Sequence, residues 1–129
     1  MSDPVPEGRL ETEHWPTEIR LKTAEQRLEI DFDNGKTFSL PAELLRVESP
    51  SAEVQGHSAA QKKLVAGKRN VAIQSVDPVG HYAIRLRFDD GHATGIYSWR
   101  YLYELGDRQD ELWERYLNQL AEKGLSRDR

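Results

Sequence analysis

The chain contains no cysteine. That excludes disulfides, thiol nucleophiles, cysteine-ligated iron–sulfur clusters and the common structural zinc sites. Long apolar runs are missing too: nothing approaches the ~20 residues a membrane helix requires. Residues 1–13 carry Pro4, Pro6 and several acids but no apolar stretch of the secretory kind. These absences set the expectation of a cytoplasmic protein with no membrane partner. An excess of positive charge is also lacking. The formal net charge is −4, which argues against a protein that grips phosphate backbones, so no nucleic-acid partner is expected. What is present is 129 residues, 31% of them charged and 37% hydrophobic, enough for one core but not two.

Catalytic signatures are largely absent as well. There is no G-x-S-x-G elbow, no glycine-rich phosphate loop and no H-E-x-x-H pair. The His-x-Asp pattern that would begin a facial iron triad does not occur. The reading is of a protein that is not an enzyme.

Hydrophobic spacing organises the rest. Residues 1–15 read as a flexible tail, residues 16–124 as the domain, and residues 125–129 as a polar tail. From Thr17 the apolar positions alternate: Ile19 and Leu21, then Leu28, Ile30 and Phe32, then Phe38 and Leu40, with a hairpin turn at Asn34-Gly35. Pro41 suits the first turn of a short helix through Leu44 and Leu45. Residues 48–70, with Pro50, Gly56 and Gly67, predict a long loop carrying one helical turn near 59–65. Such a loop is either functional or a plain insertion. A second strand group holds Val71, Ile73 and Val76, a turn at residues 77–80, and the alternating run Tyr82, Ile84, Leu86, Phe88. Asp89-Asp90-Gly91 turns the chain into a short strand over residues 92–97. Ser98 is placed to cap a helix ended by Gly106. Asp107 then caps a final helix with an apolar stripe of Leu112, Trp113, Tyr116, Leu117 and Leu120, supported by Glu111 and Arg115 as an i,i+4 pair. The expected fold is α+β: a small antiparallel sheet domain of two strand groups, a short central helix and two C-terminal helices.

Candidate ligating side chains are few. His14 reads as solvated in the tail and His81 as an exposed turn residue. Only His57 and His92 could share a site, if the long loop folds onto the second hairpin, with Asp89, Asp90 or Glu48 adding oxygen ligands. The alternative for each histidine is a surface or hydrogen-bonded structural role. The basic residues Lys62, Lys63, Lys68 and Arg69 have no interleaved aromatics, so base stacking is not indicated and a solvated loop is the simpler reading. The helix with Trp99, Tyr101, Leu102 and Tyr103 carries more apolar surface than one face can hide, which suggests a contact surface.

Several segments in order carry a resemblance. Pro16-Thr17-Glu18-Ile19, the run Leu45-Arg46-Val47-Glu48-Ser49-Pro50-Ser51-Ala52-Glu53 with Gly56-His57, and Phe88-Asp89-Asp90-Gly91-His92 leading to Gly95-Ile96-Tyr97-Ser98-Trp99 together resemble the N-terminal domain family of gamma-butyrobetaine-hydroxylase-like proteins. The likeness is to a stand-alone bacterial member, and the family is a domain of unknown function. In the carnitine-biosynthesis hydroxylases this domain precedes a 2-oxoglutarate oxygenase domain and holds zinc through three cysteines and a histidine. In some iron–sulfur carrier ATPases a similar domain is an appendage. The resemblance implies an accessory or docking role beside an iron–sulfur carrier or an oxygenase. It places the zinc thiolates on Ser49, Ser51 and Val54 and leaves His92 as the only retained ligand counterpart. No metal or other cofactor is therefore expected. The implied binding face joins Ser49, Ser51 and His57 to Asp89, Asp90 and His92, with Trp99 nearby. The competing expectation is a metal- or small-ligand-binding protein built on His57 and His92.

Overall fold

The computed structural model describes residues 14–56 and 61–128. Most of the expected N-terminal tail, and His57, therefore lie outside the described residues. The fold is α+β. Two three-stranded antiparallel sheets follow each other along the chain, in the orders β1-β2-β3 and β4-β5-β6.

Strands β1 (Pro16–Lys22), β2 (Arg27–Phe32) and β3 (Thr37–Pro41) form the first sheet. The alternation in β2 puts Leu28, Ile30 and Phe32 inside, as period-two burial requires. The β2–β3 turn spans residues 33–36. Gly35 has φ +89° there, and the Asn34 side chain accepts the Lys36 amide. Helix α1 (Ala42–Val47) follows Pro41 directly, and helix α2 (Ala52–Gln55) is capped by Ser51, whose hydroxyl accepts the Glu53 amide. A helical turn thus stands at residues 52–55, where Ser51 offers a cap; residues 59 and 60 of the turn expected near 59–65 lie outside the described residues.

The second sheet comprises β4 (Ile73–Val79), β5 (Ala83–Phe88) and β6 (Ile96–Ser98). One expected turn and one strand boundary shift. Asp77 and Pro78 lie inside β4, where Pro78 faces Ile84 of β5. Proline is tolerated there because β4 is an edge strand. The chain reverses instead at residues 80–82, which leaves Tyr82 outside the strand and more than half exposed. Residues 92–95 are not strand either; β6 begins only at Ile96.

Helix α3 (Trp99–Asp107) is capped as expected, the Ser98 hydroxyl accepting the Tyr101 amide. It runs through Gly106 rather than ending there. A Cβ on Gly106 would lie 2.3–2.6 Å from the Phe38 ring, so the glycine lets α3 approach β3. Helix α4 (Gln109–Glu122) begins after Arg108, not with a cap from Asp107. The Arg108 guanidinium bonds Glu104 and Glu111 and so bridges the two helices. That is the ion pair Glu111 makes here, in place of Arg115. Leu112, Tyr116 and Leu120 of the α4 stripe are buried, but Leu117 is exposed. Gly124, with φ +66°, closes α4: its amide bonds the Ala121 carbonyl and the Leu125 amide bonds that of Leu120, a Schellman arrangement.

One core unites both sheets. Leu28, Ile30 and Leu40 from the first meet Ile73, Ile84, Leu86 and Phe88 from the second, with Leu44, Leu45, Leu102 and Leu105 from α1 and α3. A smaller cluster of Val47, Tyr116 and Leu120 packs α4 against Leu64 and Val65. The polar C-terminal segment does not hang free. The Gly67 and Arg69 amides donate to the Ser126 and Arg127 carbonyls at 2.9 and 3.1 Å, and Arg127 pairs with the buried Glu43.

Candidate functional site

The segment joining α1 to α2 meets the tip of the β5–β6 connection in a buried hydrogen-bond network. Ser49 Oγ lies 2.9 Å from His92 Nε2, and Glu53 Oε1 lies 3.1 Å from His92 Nδ1. The carboxylate is an acceptor only, so Nδ1 carries the proton and Nε2 accepts from the Ser49 hydroxyl. The Ser49 oxygen in turn accepts the Ser51 amide, and Ser51 Oγ sits 2.7 Å from Thr94 Oγ1. Gly95 completes the fit: a Cβ there would fall 2.4 Å from Ser49 Oγ.

A second tie is ionic. Asp90 Oδ2 lies 2.8 Å from Arg46 Nε of α1 and 2.7 Å from Lys68 Nζ, while its Oδ1 accepts the His92 amide. Burial alone would raise the Asp90 carboxyl. Hydrogen bonds from Lys68, the His92 amide and Arg46 outweigh that and hold it at about 2. For His92 the direction is also downward, caused by burial first and then by the Arg46 charge, against the opposing pull of Glu53.

Serine, imidazole and carboxylate are thus connected as in a hydrolytic triad. The serine, however, has no accessible surface, and its oxygen is committed to the Ser51 amide. A nucleophile must meet a substrate carbonyl, and Ser49 cannot. The arrangement fastens two backbone segments together.

The zinc implied by the hydroxylase resemblance does not fit these residues. Its donor positions carry two neutral hydroxyls, a valine that is 2% exposed, and an imidazole with both nitrogens already bonded. Among the described residues no three His, Asp or Glu side chains are grouped to hold a metal ion.

The structure brings Ser49, Ser51, Asp90 and His92 together. Asp89 stands beside them, its carboxylate accepting the Ala72 amide. Trp99 does not join them. Its indole donates to the His81 carbonyl at 2.8 Å, and its amide to the Tyr82 carbonyl, at the opposite end of β5. The aromatic surplus expected of α3 is consumed internally. Trp99 is buried, Tyr101 donates to the Glu48 carbonyl, and Tyr103 packs on Phe32, Phe38 and His14. His14 is stacked rather than simply solvated. The basic stretch is paired too: Lys62 with Glu48, Lys68 with Asp90, Arg69 with Asp128. Three partners escaped sequence reasoning: Glu53, Thr94 and Arg46. Only Glu53 left a trace, as the acid two residues after a capping serine.

The fold and this polar joint define a small α+β module built around a stapled loop pair, with no helix among the described residues long and apolar enough to cross a membrane. The chain belongs to the family described as "Gamma-butyrobetaine hydroxylase-like, N-terminal", whose pattern matches residues 19–103. Two NMR solution structures are 49% and 52% identical to it, with TM-scores of 0.79 and 0.76. The matches cover 89% of this chain and 90% of the first relative, and 88% of this chain and 84% of the second. A crystal structure of a protein of unknown function from Acidithiobacillus ferrooxidans, of the DUF971 family, is 40% identical with a TM-score of 0.59. That match covers 78% of this chain and 98% of the relative. None of the curated proteins compared with the chain matches it.

Proposed function

We propose that this chain is a non-enzymatic interaction module that presents the joined segments 49–56 and 89–94 to a protein partner. The observation that carries this reading is the bonding that locks the joint: both His92 ring nitrogens, the Ser49 and Ser51 hydroxyls and the Asp90 carboxylate are each bonded within it. Ser49 and His92 are buried, while Ala52, Glu53, Asp89, Gly91 and Thr94 around them are exposed. A rigid, exposed rim on a locked base is a good contact surface, because little backbone freedom is lost on binding. The family contexts favour an iron–sulfur carrier or an iron-dependent oxygenase as partner, an associational argument. The negative net charge favours protein over nucleic acid. Ligand binding by His57 and His92 is the weaker reading, since His92 would first have to release Ser49 or Glu53.

The test separates surface from base. Purified iron–sulfur carrier and oxygenase proteins from the same source are titrated with the chain. Ala52→Arg should weaken binding at least ~10-fold, about 1.4 kcal/mol, with the melting temperature unchanged. His92→Ala should lower the melting temperature. Full binding by a folded Ala52→Arg variant would refute the proposal for this face.

A further inference from the structure

The C-terminal segment is held in a way that a loose end does not require. Glu43, on α1, is 5% exposed, and the side chain that answers its carboxylate is Arg127. The guanidinium is bidentate, with Nε 2.9 Å from Oε2 and Nη2 2.8 Å from Oε1. Its carbon also lies 5.0 Å from the centre of the Trp113 ring. Carboxylate fork and aromatic face together are the two groups that select arginine over lysine.

The backbone around this side chain is also read. The Gly67 and Arg69 amides donate to the Ser126 and Arg127 carbonyls, so two consecutive carbonyls of the segment are held by main-chain donors. Arg69 pairs with the Asp128 carboxylate one residue further on. The site continues past Arg127 as an open cleft of about 280 Å³ lined in part by Pro41, Gln109 and Asp110. Glu43 and Asp110 make it acidic, which complements a cationic occupant.

We infer that the groove between Glu43, Trp113 and residues 67–69 is a recognition site for a peptide bearing arginine, occupied here by residues 126–128 of the chain itself. The strap acts as an internal competitor. An arginine-bearing segment of a partner gains the groove only by displacing it, and so pays a population penalty that loss of Arg127 removes. This face adjoins the Ser49–His92 joint through the Lys68–Asp90 pair, but Glu43, Trp113 and Arg127 take no part in the joint, so the two proposals are tested by different variants.

The experiment uses the full chain carrying Arg127→Ala, titrated with the end-capped peptide Leu-Ser-Arg-Asp and followed by amide and indole NMR signals. The variant should bind at least ~10-fold more tightly than the unsubstituted chain, with shifts at the Gly67 and Arg69 amides and the Trp113 indole. A peptide with alanine for arginine should not bind, nor should the same protein with Glu43→Gln added. If Arg127→Ala does not fold, Arg127→Lys takes its place, keeping charge but losing the fork. Absence of peptide binding in a folded variant would overturn the inference, as would equal binding of the alanine peptide. Loss of the native spectrum in both variants would also overturn it, because a displaceable strap must leave a folded domain behind.

Discussion

His92 satisfies two neighbours of different chemistry in a single neutral tautomer, and its protonation upsets that arrangement. A second ring proton would leave Ser49 Oγ facing a donor and place a charge in a largely buried position beside Arg46. The folded pKa therefore lies below the ordinary imidazole value of 6.5. Between the two values the unfolded chain binds more protons, so this contribution to stability is full above pH 6.5 and lost as pH falls through the folded pKa. The melting temperature should drop as pH falls below 6.5, and His92→Gln should flatten that slope. An unchanged slope would place the titrating group elsewhere. Asp90 enters much lower: held at about 2 against an ordinary 3.8, it should release its share of stability only below about pH 4, and Asp90→Asn should remove that acid limb. The same joint sets a metal expectation. Tag-free protein should carry far less than one zinc per chain by elemental analysis, since Ser49, Ser51 and Val54 offer no thiolate. Stoichiometric zinc lost on His92→Ala would contradict it.

Helix α3 shows where local sequence signals inform and where they mislead. Ser98 caps it as its residue type suggests, because capping needs only the hydroxyl and the next amides. Gly106 looks like a terminator yet lies inside the helix, because its demand comes from Phe38, 68 positions away in sequence. Pro78 misleads in the same manner: a turn residue by propensity, it is accommodated because β4 happens to be an edge. Gly106 thus yields a sign test. In an ordinary helix interior, alanine for glycine gains up to about 1 kcal/mol. Here Gly106→Ala should instead cost about 1–3 kcal/mol through overpacking against the Phe38 ring. Phe38→Leu, in the Gly106→Ala background, should recover part of the loss, as contacting residues couple. A stabilised Gly106→Ala variant in chemical denaturation would show that the ring moves aside freely.

The alternating strands, the α1 position, the Ser98 cap and the Leu112–Leu120 stripe could all be read from the chain, since each is a local pattern. Pairing across distance could not. Nothing local says that Lys68 seeks Asp90 or that Arg127 crosses to Glu43, 84 residues earlier. The Ser49–His92 meeting was reachable only through family resemblance, which supplied the juxtaposition but not the Glu53 and Thr94 contacts. Those long ties bear on how the molecule unfolds. Among the described residues no strand pairing joins the two sheets, so topology alone would let them melt separately. Their inner faces nevertheless enter one cluster, and Leu102 and Leu105 of α3 lie within it between residues of both sheets. Thr23 Oγ1 also donates to the Ile73 carbonyl, a direct link from the β1–β2 connection to β4. Exposing either sheet would strip apolar cover from the other, which makes a half-folded state costly. Unfolding should therefore be a single transition, with far-UV circular dichroism and tryptophan fluorescence coincident; Trp99 reports from the start of α3, bonded to the β4–β5 turn, and Trp113 from α4. Leu102→Ala should destabilise by about 2–5 kcal/mol while keeping the two curves superimposed. Curves that separate, in the parent or in this variant, would show that the sheets are distinct cooperative units and that the shared cluster does not couple them.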